Sequence, residues 1–77
     1  MDIEVKVREI MSDFVDDIPE DVEFDLVESG LIDSMMVMNL LTTIEDEFDF
    51  EVDVKDISKN NFKSISSIVQ MIQKYVG

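Results

Sequence analysis

Asp33 and Ser34 stand together at the head of an uncharged run, Ser34-Met35-Met36-Val37-Met38-Asn39-Leu40-Leu41-Thr42-Thr43-Ile44. A serine hydroxyl becomes a nucleophile when a neighbouring base takes its proton. The 77-residue chain has no histidine and no cysteine, and no lysine or arginine falls between Glu9 and Val54. Asp33 is a poor general base when solvated. If Ser34 enters chemistry at all, it is therefore as the substrate of another enzyme. Its position suits that role, because the backbone N–H groups and dipole at a helix N-terminus favour an attached phosphate. The plainer reading of the same residue is a helix N-cap, in which case Ser34→Ala should cost about 1 kcal/mol.

Carboxylates offer a second chemistry, cation binding. The best register for an EF-hand loop starts at Asp49, with Glu51 and Asp53 as further ligands. Its sixth position is Val54, where a glycine is needed, and its twelfth is Asn60, where a bidentate glutamate is needed. That reading fails. Without histidine or cysteine, zinc and thiolate sites are excluded as well.

Charge narrows the partners. The formal net charge is −13, and sixteen of the nineteen acids fall between Glu9 and Val54. Such a surface disfavours nucleic acid and anionic membranes and attracts basic protein surfaces. No stretch approaches the roughly 18 apolar residues of a membrane span, and the acidic N-terminus is no signal peptide, so a cytoplasmic, monomeric protein without membrane insertion is expected. The length fits one small domain over residues 1–77, near the lower limit for a single unstapled core.

Four segments must position Ser34. Ile3, Val7, Ile10 and Phe14, with Met11 beside them, recur at helical spacing and predict a first helix from Ile3 to about Asp16. Pro19 and the acid-rich run to Ser29 form a long connection that Val22, Phe24 and Leu26 could pin to the core, and Gly30 provides a turn before the second helix. That helix is predicted over Ser34–Phe48. Phe50, Val52 and Val54 alternate and hint at extended chain, followed by a short helical turn around Asp56–Lys59. Ser64 caps a last helix carrying the stripe Ile65, Ile68, Val69 and Ile72. The expected fold is all-α, a small bundle of three long helices and one short one.

The second helix has two unlike faces. Val37, Leu40, Leu41, Ile44 and Phe48 share one side and should be core. Opposite them lie Met35, Asn39 and Thr42, flanked by Met36 and Met38: an uncharged exterior in a chain with 32% charged residues. Methionine is flexible and polarizable and suits surfaces that accept partners, so Met35, Met38, Asn39 and Thr42 are the candidate docking residues. Met36 and Met38 could instead fill gaps against the long loop. At the other end Glu45, Asp46, Glu47 and Asp49 crowd a terminus whose dipole is already negative. Relief must come from distant lysines, bound cations or a basic partner.

The pattern Asp25-Leu26, three residues, Gly30-Leu31, one residue, Asp33-Ser34-Met35 resembles that of the acyl carrier proteins. The likeness covers nearly the whole chain, including Glu45-Asp46-Glu47-Phe48 closing the second helix and Phe62-Lys63-Ser64-Ile65 opening the last. It implies a four-helix carrier domain in which Ser34, preceded by Asp33, bears a 4′-phosphopantetheine arm taken from coenzyme A. The arm's thiol would hold acyl or aminoacyl groups as thioesters. Implied partners are a phosphopantetheinyl transferase, an acyl- or aminoacyl-activating ligase and a downstream acyl transferase; the carrier itself is no enzyme.

Fatty-acid carriers usually place acids soon after that serine, where this chain has Met36, Met38 and Asn39. Glu28-Ser29-Gly30-Leu31-Ile32-Asp33-Ser34-Met35 is closer in appearance to the D-alanyl and stand-alone peptidyl carriers. Fatty-acid or polyketide carriage is the alternative. A non-carrier acidic adaptor is a more distant one and predicts no need for Ser34. A ubiquitin-like modifier is suggested only by Gly77, and the helical C-terminal pattern argues against it.

Overall fold

A computed structural model describes residues 2–76, so Gly77 lies outside the described residues. Among the described residues helix α1 spans Ile3–Met11, α2 Ser34–Phe48 and α3 Ile65–Val76, with a single 3₁₀ turn at Val54–Asp56. The architecture is all-helical, as the periodicity predicts. Two of its boundaries differ.

Helix α1 stops at Met11, about a turn short of the expected Asp16. The Ser12 hydroxyl bonds back to the Glu9 carbonyl, and the Phe14 and Val15 N–H groups both turn back to the Met11 carbonyl. A continued helix would also have carried Asp13, Asp16 and Asp17 into its negative dipole end. Ending early lets Val15 fold back into the core, where it is buried. The 3₁₀ turn likewise lies earlier than Asp56–Lys59, because the Asp53 carboxylate caps it by accepting the Lys55 N–H at 3.1 Å. Val54 is consequently pushed outward and is 82% exposed, so the alternation begun by Phe50 and Val52 breaks there.

The core forms where the three helical stripes meet. Val7, Ile10 and Met11 come from α1, Val37, Leu40, Leu41 and Ile44 from α2, and Ile65, Ile68, Met71 and Ile72 from α3. Val69, expected in the last stripe, is only partly buried, and Met71 takes the interior position instead. Phe62, fully buried before α3, is the largest interior side chain. Burying one such aliphatic or aromatic side chain stabilises by about 1.5–3 kcal/mol. Ser64 caps α3 as expected, its hydroxyl accepting the Ser67 N–H at 3.1 Å.

The long acidic connection carries no regular element, yet it is tied down at four places. The Arg8 guanidinium donates to the Pro19 and Glu20 carbonyls at 2.8 and 2.9 Å and to Glu4 at 3.2 Å. Further on, Ser66 N–H bonds to the Val22 carbonyl (2.9 Å) and Leu26 N–H to the Lys63 carbonyl (2.7 Å). Leu26 is fully buried and Val22 partly so, but Phe24 points out and is 40% exposed, contrary to the expectation that it pins the loop. Backbone bonds to the start of α3 replace that anchor.

At its far end α2 closes on Asp49, which adopts the left-handed conformation with φ of 57°. Aspartate tolerates that region better than most L-residues. Both the Asp49 and Phe50 N–H groups return to the Glu45 carbonyl, while the Glu45 carboxylate accepts the Val52 N–H at 2.8 Å. Lys6 of α1 reaches across to Glu47 at 3.1 Å, and this contact raises the lysine pKa above its usual value. A distant lysine thus relieves part of the acid crowding. The following segment is held by Tyr75, whose ring stacks on Phe50 with centroids 5.0 Å apart and whose oxygen accepts the Asp53 N–H at 3.0 Å. The Tyr75 hydroxyl donates to Asp56, which Lys74 also contacts at 3.2 Å.

Candidate functional site

The approach to Ser34 is built from backbone constraints that begin eight or more residues upstream. The Asp25 carboxylate accepts the Val27 N–H at 3.1 Å and the Glu28 N–H at 2.8 Å, folding the chain into a turn. Gly30 follows with φ of +81°. A side chain there would meet no neighbour, so the requirement for glycine is conformational and not steric. The chain then returns, and Ile32 N–H bonds to the Leu26 carbonyl at 3.0 Å. Leu26 and Ile32 are both buried, so the turn is clamped from below by two side chains and across by one hydrogen bond. Asp33 and Ser34 emerge immediately after this clamp.

The cap of α2 belongs to Asp33. Its backbone is extended (φ −116°, ψ −177°), its side chain accepts the Met36 N–H at 2.9 Å, and its carbonyl accepts the Val37 N–H at 2.9 Å. Ser34 is the first helical residue and is exposed. This corrects the reading of Ser34 as an N-cap. Asp33 and Ser34 are both good capping types, and the extended backbone at 33 decides between them. Ser34 is left free of the capping role, with the Ser34 and Met35 N–H groups at the open end of the helix beside its hydroxyl.

The chemistry available there is simple. An exposed primary hydroxyl sits in the positive field of a 15-residue helix, in a chain that has no histidine to act as its base. Among the described residues no group of three or more acids is placed to hold a metal ion. Asp49 and Asp53, the would-be calcium ligands, serve as a helix terminus and a turn cap. A phosphodiester on Ser34 would meet free backbone donors and open solvent, so the residues present fit a phosphate-linked arm.

Around the hydroxyl, α2 divides as its sequence predicts. Met35 is 74% exposed and Met38 50%, and Asn39 and Thr42 are exposed beside them. Met36 packs against the core, so gap-filling accounts for that methionine and not for the other two. Thr42 donates its hydroxyl to the Met38 carbonyl at 3.0 Å and Thr43 donates to Asn39 at 2.9 Å. The exterior of the first turns is therefore uncharged, with both threonine hydroxyls bonded to helix carbonyls and the Asn39 amide exposed, and the first turn carries no acid. What sequence reasoning missed is the support: Arg8, which staples the loop, and Ile32, which plugs beneath the cap. An arginine on a first helix facing a proline-containing connection was the available signal for Arg8. Ile32 lacked one, since it belongs to no periodic element.

Residues 5–72 match the family model described as a phosphopantetheine attachment site. Similar proteins include the D-alanyl carrier protein of Latilactobacillus sakei, 35% identical over 71 residues that cover 90% of this chain and 91% of that one. The D-alanyl carrier protein of Streptococcus sanguinis is 31% identical, with 91% and 90% covered. That of Leuconostoc mesenteroides is 26% identical over the whole of both chains.

Proposed function

The chain belongs to the phosphopantetheine-attachment family of acyl carrier proteins, and from that premise we propose that Ser34 bears the arm and that the cargo is an aminoacyl group, D-alanyl foremost. The protein is a carrier and not an enzyme: 4′-phosphopantetheine is attached covalently, and other enzymes act on what it holds. That group supplies a thiol, the function the chain lacks for want of cysteine, and a thiol can hold a carbonyl group as a thioester.

The observation that carries the Ser34 assignment is the cap. Asp33 satisfies the Met36 N–H, so the neighbouring hydroxyl can be esterified without unmaking the helix terminus. Asp33 keeps its place beneath the arm as a structural partner. The aminoacyl reading is supported by the D-alanyl carriers among the similar proteins and by the uncharged first turns of α2. Met35, Met38, Asn39 and Thr42 form the face on which partner enzymes dock: a phosphopantetheinyl transferase, an aminoacyl-activating ligase and a downstream acyl transferase. Among the described residues no helix is long and apolar enough to cross a membrane.

The test is loading. Incubated with coenzyme A, magnesium and a broad-specificity transferase, the protein should gain one phosphopantetheine by mass, and Ser34→Ala should gain none. Labelling that persists in Ser34→Ala refutes the site. The holo protein should then accept D-alanine from an aminoacyl-activating ligase faster than it accepts a fatty acyl group; the reverse preference refutes the subtype.

A further inference from the structure

The six basic residues fall into two sets. Lys6, Arg8 and Lys74 are engaged with Glu47, Glu4 and Asp56. Lys55, Lys59 and Lys63 are exposed, and among the described residues none of them forms an ion pair. Two of the three, Lys59 and Lys63, line an open concavity of about 280 Å³ together with Asn60, Asp25, Val27 and Glu28. Carboxylates and ammonium groups thus share one hollow without closing on each other. Its acidic wall is the turn that leads to Ser34, and Leu26 N–H to Lys63 carbonyl (2.7 Å) fixes the two walls together.

Opposite charges held apart on a rigid frame suit a ligand that is itself divided into charged and polar parts. An aminoacyl thioester is such a ligand: an ammonium group, a small side chain and a carbonyl oxygen around one carbon. We infer that this concavity is a resting site for the aminoacyl end of the arm on Ser34. The ammonium lies against Glu28 and Asp25, the methyl of an alanyl group against Val27, and the carbonyls of the cargo and arm against the donors of Asn60, Lys59 and Lys63. This rests on the proposed Ser34 attachment and aminoacyl cargo, and deepens it by giving the cargo a place on the carrier.

Reach permits it. Glu28 and Ser34 are six residues apart, so even a fully extended chain would separate them by no more than about 22 Å. The hydrogen bond from Ile32 to Leu26 folds the segment and makes the distance shorter. A pantetheine arm is comparable in length to about five extended residues, roughly 17 Å. Each contact is weak, since exposed ion pairs contribute little. Tethering compensates, because a short flexible linker gives an effective concentration of the order of millimolar. The result is a site occupied in exchange, released when a partner enzyme captures the arm, and weakened by salt.

The experiment is amide NMR on ¹⁵N-labelled protein loaded at Ser34 by a transferase from three donors: coenzyme A, D-alanyl-coenzyme A and N-acetyl-D-alanyl-coenzyme A, with loading verified by mass. Resonances of Val27, Glu28 and Asn60 should move in the D-alanyl form relative to the free-thiol form. The movement should vanish on N-acetylation, in Glu28→Gln and at high salt. Glu28 is exposed, so its variant should fold as the parent does. Shifts that are absent, or equal in the acetylated form, overturn the inference while leaving Ser34 attachment intact. A protein that takes up no arm from any donor overturns the Ser34 reading and this one with it.

Discussion

The hand-over of the cap from Ser34 to Asp33 gives two adjacent substitutions opposite consequences. Asp33→Ala removes the acceptor of the Met36 N–H bond at 2.9 Å and leaves that donor at an exposed terminus. Loss of such a cap costs about 1 kcal/mol, and the lost carboxylate near the positive dipole end adds about 0.3–1 kcal/mol. Removing one negative charge from a chain of net charge −13 offsets part of the second contribution. The expected net loss is therefore about 1 kcal/mol, which for a domain of this size lowers Tm by roughly 4–8 °C. Asp33→Asn retains an acceptor oxygen and should lose about half as much. Ser34→Ala touches no cap and replaces an exposed first-turn residue by a good helix former, so its change should stay within about 0.5 kcal/mol. Urea titration of the unmodified proteins decides the matter, with the midpoint moving and the slope constant. If Ser34→Ala proves as costly as Asp33→Ala, the cap has been assigned to the wrong residue. Ser34 would then be engaged at the helix terminus and not free for modification.

Three further outcomes are expected. Met35→Glu, at a 74% exposed position, should slow loading by partner enzymes while shifting stability by no more than about 0.5 kcal/mol; Leu41→Ala should instead cost about 2–5 kcal/mol, and equal unfolding by both would show that the faces of α2 are misassigned. The Tyr75 hydroxyl and then Lys74 hold the Asp56 pKa below its usual value, so this carboxylate stabilises the fold above the unfolded value near 3.9 and ceases to as pH falls through its folded value. The same bond raises the Tyr75 pKa, whose contribution is full below about 10 and is lost above. Asp56→Asn should therefore lower Tm at pH 7, with the gap to the parent narrowing below about pH 4; a gap that is constant with pH refutes the linkage. Added salt should raise the melting temperature of the free domain by screening self-repulsion, yet slow its loading by basic partners, and a melting temperature that falls with salt contradicts the first half.

Periodicity carried the parts of the fold in which burial repeats. The stripes Val7-Ile10 and Val37-Leu40-Leu41-Ile44 predict the observed interior because each helix shows the core one continuous face. It failed where the backbone was arranged by single hydrogen bonds. Nothing periodic announces that Ser12 and Val15 turn back at the end of α1, or that Asp53 starts the 3₁₀ turn two residues early. Phe24 is the instructive miss. Its hydrophobicity suggested an anchor, but an aromatic ring in a loop is buried only if the loop's own bonds aim it inward, and those bonds bury Leu26 instead.

At the site the same distinction separates what residue types reveal from what they leave open. The absence of histidine and cysteine is complete in the sequence, and it removes the commonest base for a nucleophilic serine before any coordinate is known. The division of labour between Asp33 and Ser34 is not, because either residue can cap and the choice depends on where the extended backbone ends. That end is set by Ile32, which is buried beneath the cap and bonded back to Leu26. Moving the helix start by one residue would make Ser34 the cap and engage the hydroxyl proposed to carry the arm. The turn from Asp25 to Ile32 therefore does more than connect two helices: by fixing the register of α2, it decides which of two adjacent polar residues stabilises the helix and which remains open to modification.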